Sequence, residues 1–255
     1  GIRVDSEYRI RSGLFYTLQR AAGEGHSYLP EEKLLAQAAG LLQIEKEVLE
    51  GQLENLAMEK KIVLKREEGG RRVYASLFYY AERNCARMLI DLNQAMEEEG
   101  EAVPSRERLW LNKIRELERE QKIELDELQR QAVMESLRHG VLILSGGPGT
   151  GKTTTINTMI RYFEQEGMDI LLAAPTGRAA KRMTEATGYE AKTIHRLLEL
   201  NGGISDNSAG QSAKFEKNAD NPLEADVIIV DEMSMVDLCL LQSLLKAVMQ
   251  GTRLV

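Results

Sequence analysis

The residues with the clearest chemical purpose are 146–153, in the order Gly-Gly-Pro-Gly-Thr-Gly-Lys-Thr. Glycines at that density let successive backbone N–H groups turn inward, and a helix opening near Lys152 aims the positive end of its dipole at the same point. Set between an apolar strand (residues 141–144) and an apolar-faced helix, the pattern G-x-x-x-x-G-K-[ST] makes a cradle for nucleotide phosphates. Gly147, Pro148, Gly149, Thr150, Gly151 and Thr154 are expected to line it. Lys152 neutralises the β- and γ-phosphate oxygens, and the Thr153 hydroxyl offers Mg2+ a hard oxygen ligand.

A second run, Val-Ile-Ile-Val-Asp-Glu at 227–232, is an apolar strand ending in two acids. At the carboxyl end of a strand, Asp231 is placed to hold Mg2+ through its water shell, and Glu232 to polarise an attacking water as general base. Other signals are weaker. The Gln129 amide can donate to and accept from an adenine edge, though by itself it reads better as a helix-surface glutamine. Thr176, Gly177, Arg178 and Lys181 follow an apolar strand and open a helix, an arrangement that suits either a sugar-phosphate backbone or a plain turn with solvated cations. His195, in Thr193-Ile194-His195-Arg196, offers similar groups and has no second histidine at metal-ligand spacing.

These residues need a scaffold, and the chain supplies one from residue 123 onward. Apolar runs at 141–144, 170–174 and 227–230 alternate with helical patterns, which predicts a parallel sheet covered on both faces. Residues 201–221 lack periodicity and are rich in Gly, Ser, Asn and Asp, as in an exposed insertion loop.

Upstream the pattern differs. Helices are expected over 9–22, from Pro30 to a stop at Gly40, and over 44–60, where Val48, Leu49, Leu53, Leu56 and Ala57 form the apolar side. A strand at 62–64, the turn Glu67-Glu68-Gly69-Gly70 and a strand at 72–75 make a hairpin. Three helices and then a hairpin is the order of a winged helix. The third helix carries Glu45, Glu47, Glu50, Glu54 and Glu59, which would repel DNA phosphates, so a structural or partner-docking role is expected of it. On the wing, Lys65, Arg66, Arg71 and Arg72 are the plausible DNA contacts. Further helices from Leu77 to a break at 97–100, and from Pro104 onward, form a connector. The expected division is therefore 1–84 helical and winged-helix-like, 85–122 connector, and 123–255 ATPase domain.

Bulk properties bound these readings. The net charge of −7 argues against a broadly basic surface and leaves a local basic track open. Cys85 and Cys239 are too few for a disulfide framework or a structural zinc site, which suits a reducing cytoplasm. No run approaches the roughly 20 apolar residues of a membrane span. The first residue is Gly, and charges stand where a signal peptide needs an apolar core, so a piece of a longer protein is expected.

Together the motifs resemble superfamily 1 helicases. Residues 125–133 resemble their adenine-recognising motif, 146–155 their phosphate loop, 175–183 a DNA-contacting motif, and Asp231-Glu232-Met233-Ser234-Met235-Val236-Asp237 their acidic motif. Ala174-Pro175-Thr176-Gly177-Arg178-Ala179-Ala180, Thr193-Ile194-His195-Arg196-Leu197-Leu198 and Asn221-Pro222-Leu223 make the resemblance most similar to RecD-like helicases. Met233 stands where the family more often has a smaller residue. The resemblance implies a RecA-like α/β motor domain, preceded by a mainly helical domain, that uses ATP and Mg2+ to move 5′ to 3′ on single-stranded DNA in repair or recombination. It implies adenine contact for Gln129, catalysis by Lys152, Asp231 and Glu232, and DNA contact for Thr176, Gly177, Arg178 and His195. The family's γ-phosphate sensor, arginine fingers and second motor domain follow the matched motifs, so this chain is expected to bind Mg-ATP with little or no turnover. The alternatives are a nucleotide- and DNA-binding module without catalysis, and the helicase unit of a conjugative relaxase.

Overall fold

The computed structural model describes residues 6–96, 103–147, 149–200 and 214–255. Pro148, the helix break expected at 97–100 and most of the 201–221 loop lie outside the described residues. The chain divides into two compact units, residues 1–86 with Asp237–Gln242, and Arg87–Val236 with Ser243–Val255.

In the first unit α1 (Glu7–Gly23) starts on Ser6, whose hydroxyl accepts from Arg9 N at 3.2 Å, and it buries Ile10, Leu14, Leu18 and Ala21. A three-residue strand β1 (Tyr28–Pro30), absent from the sequence-based expectation, leads into α2 (Glu31–Leu42). That helix does not stop at Gly40. It continues to Leu42, which is buried against Gly13, and ends on a left-handed Gln43. Burying a leucine outweighs the roughly 0.5–1 kcal/mol that glycine costs inside a helix.

Helix α3 (Lys46–Met58) turns Leu49, Leu53 and Leu56 fully inward. Val48 is 46% exposed, contrary to expectation, because it sits about 100° around the helix from Leu49 and off the stripe set by 49, 53 and 56. Strands β2 (Ile62–Glu67) and β3 (Gly70–Ala75) pair antiparallel around Glu68-Gly69, where Gly69 adopts φ +95°, and β1 adds to β3 in the order β1-β3-β2. Three helices with this small sheet make a winged helix.

The second unit contains α5 (Val103–Gln121), α6 (Glu127–Arg138), α7 (Lys152–Gln165), β4 (Ile170–Ala174), α8 (Gly177–Thr187), β5 (Ala191–Thr193), α9 (Ile194–Leu197), β6 (Val227–Val230) and β7 (Arg253–Leu254). Helices α4 (Ser76–Gln94) and α10 (Leu238–Lys246) span the division between the units. The sheet is parallel, in the order β5-β4-β6-β7. Leu172, Ala173, Ala174, Val227, Ile228 and Ile229 are all buried, and since successive strand residues face opposite ways, the sheet is covered on both sides. Met159, Ile160 and Phe163 of α7 join this core, and so do Ile114 and Leu117 of α5, from the region expected as connector.

The strand expected at 141–144 is not built as a ladder. Val141 makes a single parallel bridge to Leu254, Leu142 N donates to Leu254 O at 2.9 Å, and Ile143 is 87% exposed. Its neighbour β7 has only two residues, so little backbone faces it.

Candidate nucleotide and nucleic-acid site

The phosphate loop crosses from Val141 to α7, and its conformation depends on glycine. Gly149 and Gly151 have φ of +77° and +76°, in the left-handed region that other residues enter at a cost. A Cβ on Gly151 would stand 2.1 Å from the Gln129 amide nitrogen, and one on Gly146 would stand 2.6 Å from the Thr150 hydroxyl. Thr150 Oγ1 donates to Gly147 O at 2.7 Å and closes the loop on itself. Gly151 is the N-cap of α7 and supplies no side-chain acceptor, so no cap competes with an anion for the helix's leading N–H groups.

Gln129 is fixed more firmly than its sequence context suggests. Asp126 and Gln129 form a capping box at the start of α6: Gln129 N donates to Asp126 Oδ1 at 2.8 Å and Asp126 N to Gln129 Oε1 at 2.9 Å. The same carboxamide donates through Nε2 to Gly151 O at 3.1 Å, tying α6 to the phosphate loop. The D-x-x-Q spacing signals the box, but no local pattern announces the bond to Gly151. Behind it, the largely buried Glu118 accepts from Leu125 N at 2.7 Å and pairs with Arg130 at 3.0 Å, setting the path of the chain into α6.

The two acids leave β6 at the carboxyl edge of the sheet. Asp231 N donates to Ala173 O at 3.0 Å, which holds the turn to β4, and Lys152 Nζ lies 3.5 Å from Asp231 Oδ1. Glu232 is exposed and takes a left-handed backbone, φ 55°, as the chain turns into a short 3-10 segment at Met233–Met235. The structure thus brings together the loop lysine and the first of the two acids that end β6. Thr153, also exposed, stands at the second position of α7. An uncapped helix start, one lysine, one hydroxyl and one carboxylate fit a triphosphate with Mg2+, an ion that keeps several waters and needs few protein ligands.

The expected DNA contacts lie along the same sheet edge. Ala174 pairs with Thr193 and Ala173 with Val230, so the residues following β4, β5 and β6 emerge together. The Thr176 hydroxyl accepts from Ala179 N at 3.1 Å as the N-cap of α8, so part of its capacity is spent on the helix. Gly177 has open space where a Cβ would stand, and Arg178, Lys181, Arg182 and His195 are exposed. On the winged helix three of the four cations are engaged by carboxylates. Arg71 is bidentate to Glu31 and also bonded to Glu54, Arg72 pairs with Glu67 and covers the Tyr28 ring, and Lys65 lies 4.0 Å from Glu67.

A parallel sheet with a phosphate loop, a further strand between that loop's strand and the acid-bearing strand, and a lysine facing the aspartate define a P-loop nucleoside triphosphatase of the RecA-like type. An AAA domain family matches residues 129–255. Over 99% of its length the chain is 32% identical to the ATP-dependent RecD2 DNA helicase of Deinococcus radiodurans, of which it covers 34%. It is also 40% identical over 152 residues to the RecBCD enzyme subunit RecD of Mycolicibacterium smegmatis, covering 51% of this chain and 26% of that one. To the ATP-dependent DNA helicase dda of Enterobacteria phage T4 it is 34% identical over 120 residues, 46% of this chain and 26% of that protein. The chain belongs to the RecD-like helicases, and it spans about a third of the first of these relatives and a quarter of the others.

Proposed function

We propose that this chain supplies the winged-helix region and first motor domain of an ATP-dependent DNA helicase that moves 5′ to 3′ on single-stranded DNA in repair or recombination, in the cytoplasm. The contact between Lys152 and Asp231 carries the reading, because it joins the phosphate-binding cation to the metal-side acid. Lys152 and the leading N–H groups of α7 bind the phosphates. Thr153 and Asp231 are the residues that would hold Mg2+, which when bound neutralises charge developing on the phosphoryl oxygens. Glu232 orients the attacking water and accepts its proton. Gln129 retains one N–H and one lone pair beyond its bonds to Asp126 and Gly151, enough to meet an adenine edge. Thr176, Gly177, Arg178 and His195 grip the DNA backbone along the sheet edge. By itself the chain binds Mg-ATP with little turnover, since among the described residues Lys152 is the cation that pairs with Asp231, and an arginine finger contributes about 10³–10⁵ in rate.

The test is ATP hydrolysis by the full-length protein with and without single-stranded DNA, beside Lys152→Ala. DNA-stimulated hydrolysis abolished in the variant supports the reading, and a rate indifferent to DNA and to the substitution overturns it. Unwinding of duplexes with 5′ against 3′ overhangs decides direction.

A further inference from the structure

One aromatic contact at this sheet edge is not used by the nucleotide site. The rings of His195 and Phe215 lie with centroids 6.0 Å apart and planes inclined at 52°. His195 is exposed and Phe215 is partly open. His195 stands two residues beyond Thr193, which pairs with Ala174 just ahead of Thr176, so the ring pair belongs to the edge assigned above to DNA.

Phe215 is not a loosely attached side chain. An antiparallel bridge joins it to Leu200, Glu216 N donates to Glu199 O at 3.0 Å, and Lys217 N donates to Leu198 O at 3.1 Å. Asn218 Nδ2 returns to Phe215 O at 3.3 Å. These backbone bonds hold the phenyl ring beside α9, and the exposed cations Arg196 and Lys214 are the chain neighbours of the two rings. A fixed aromatic face with cations beside it is the chemistry that binds single-stranded nucleic acid without reading sequence, because every base has a face to stack and every nucleotide a phosphate.

Resting on the DNA reading of this edge, we propose that Phe215, backed by His195, is a stacking platform for a base of the bound single strand. The fluorescence anisotropy of an oligothymidylate, and of the same strand with abasic residues, titrated with the 255-residue chain tests it. Phe215→Leu, which keeps apolar bulk without an aromatic face, weakens oligothymidylate binding roughly five- to a hundredfold, the range of one lost base–aromatic stack. Phe215→Tyr binds like the parent, and on the abasic strand parent and Phe215→Leu bind alike. Unchanged oligothymidylate affinity in Phe215→Leu, or an equal loss on the abasic strand, overturns the platform and leaves the DNA reading standing. Failure of the parent chain to bind oligothymidylate overturns the DNA reading itself, and the platform with it.

Discussion

Lys152 Nζ stands 3.5 Å from Asp231 Oδ1 although β7 lies between their two strands in the sheet. The lysine stem crosses the carboxyl edge to reach the acid, and that crossing turns two separate motifs into one phosphate site. The two side chains are 35% and 26% exposed, so the contact contributes little to stability, within about 1 kcal/mol. Lys152→Ala is therefore expected to leave the melting temperature nearly unchanged while weakening Mg-ATP binding at least about tenfold, the size of a lost charge-assisted contact. Calorimetric titration checks it, and an unaltered isotherm would remove the nucleotide from this loop.

Gly151→Ala meets two obstacles, a left-handed backbone and the Gln129 amide 2.1 Å from the new Cβ. Urea denaturation is expected to show a loss of about 1–3 kcal/mol together with weakened ATP binding. Adding Gln129→Ala relieves the collision but not the backbone, so recovery is partial. Gly177→Ala, with open space and ordinary φ at the start of α8, is the control and is expected to be neutral or slightly stabilising.

Thr176 caps α8, and the proposed function also sets it against the DNA backbone. Its hydroxyl caps α8, so Thr176→Ala is expected to cost about 1 kcal/mol in thermal unfolding with no DNA present. Thr176→Ser keeps the cap. Weakened single-stranded-DNA binding in Thr176→Ala with parental binding in Thr176→Ser would show that the hydroxyl serves both, and unchanged binding in Thr176→Ala would limit it to the cap.

Arg71 clamps the wing to two helices, and its hydrogen bonds, more than its charge, hold the Glu31 carboxyl below its ordinary value of 4.5 against the opposing effect of burial. A carboxylate depressed in the folded state contributes stability above its unfolded value and loses it as pH falls through the folded one. Arg71→Met is expected to destabilise the chain by roughly 1–3 kcal/mol near neutrality. That difference narrows as pH is lowered below about 4.5. A parent-to-variant gap that stays constant down to acid pH would show that Glu31 is not the group involved.

In α3, Leu53→Ala is expected to cost about 2–5 kcal/mol, because the side chain is fully buried. Val48→Ala is expected to fall within about 0.5 kcal/mol, because Val48 is 46% exposed. Chemical denaturation of the two variants side by side tests which residues form the apolar face of that helix.

The phosphate loop, the paired acids, the wing hairpin and the family are legible in the amino-acid sequence. Each of these is written in consecutive residues whose backbone demands are local: glycines where φ is positive, an apolar run that ends in carboxylates, a Gly-Gly turn between strands, which the structure tightens to Glu68-Gly69. Tertiary structure decided the rest. Strands β1, β5 and β7 have two or three residues each, too short to carry a period, and exist because a neighbouring strand offers hydrogen bonds. Helix α2 passes Gly40 because Leu42 finds Gly13, and residues 141–144 make one bridge because β7 opposite them is short. Gln129 reaching Gly151, Lys152 reaching Asp231, and Phe215 lying beside His195 join residues about 20 to 80 positions apart. Contacts of that kind leave no local pattern, because they depend on where the packed core sets each element down.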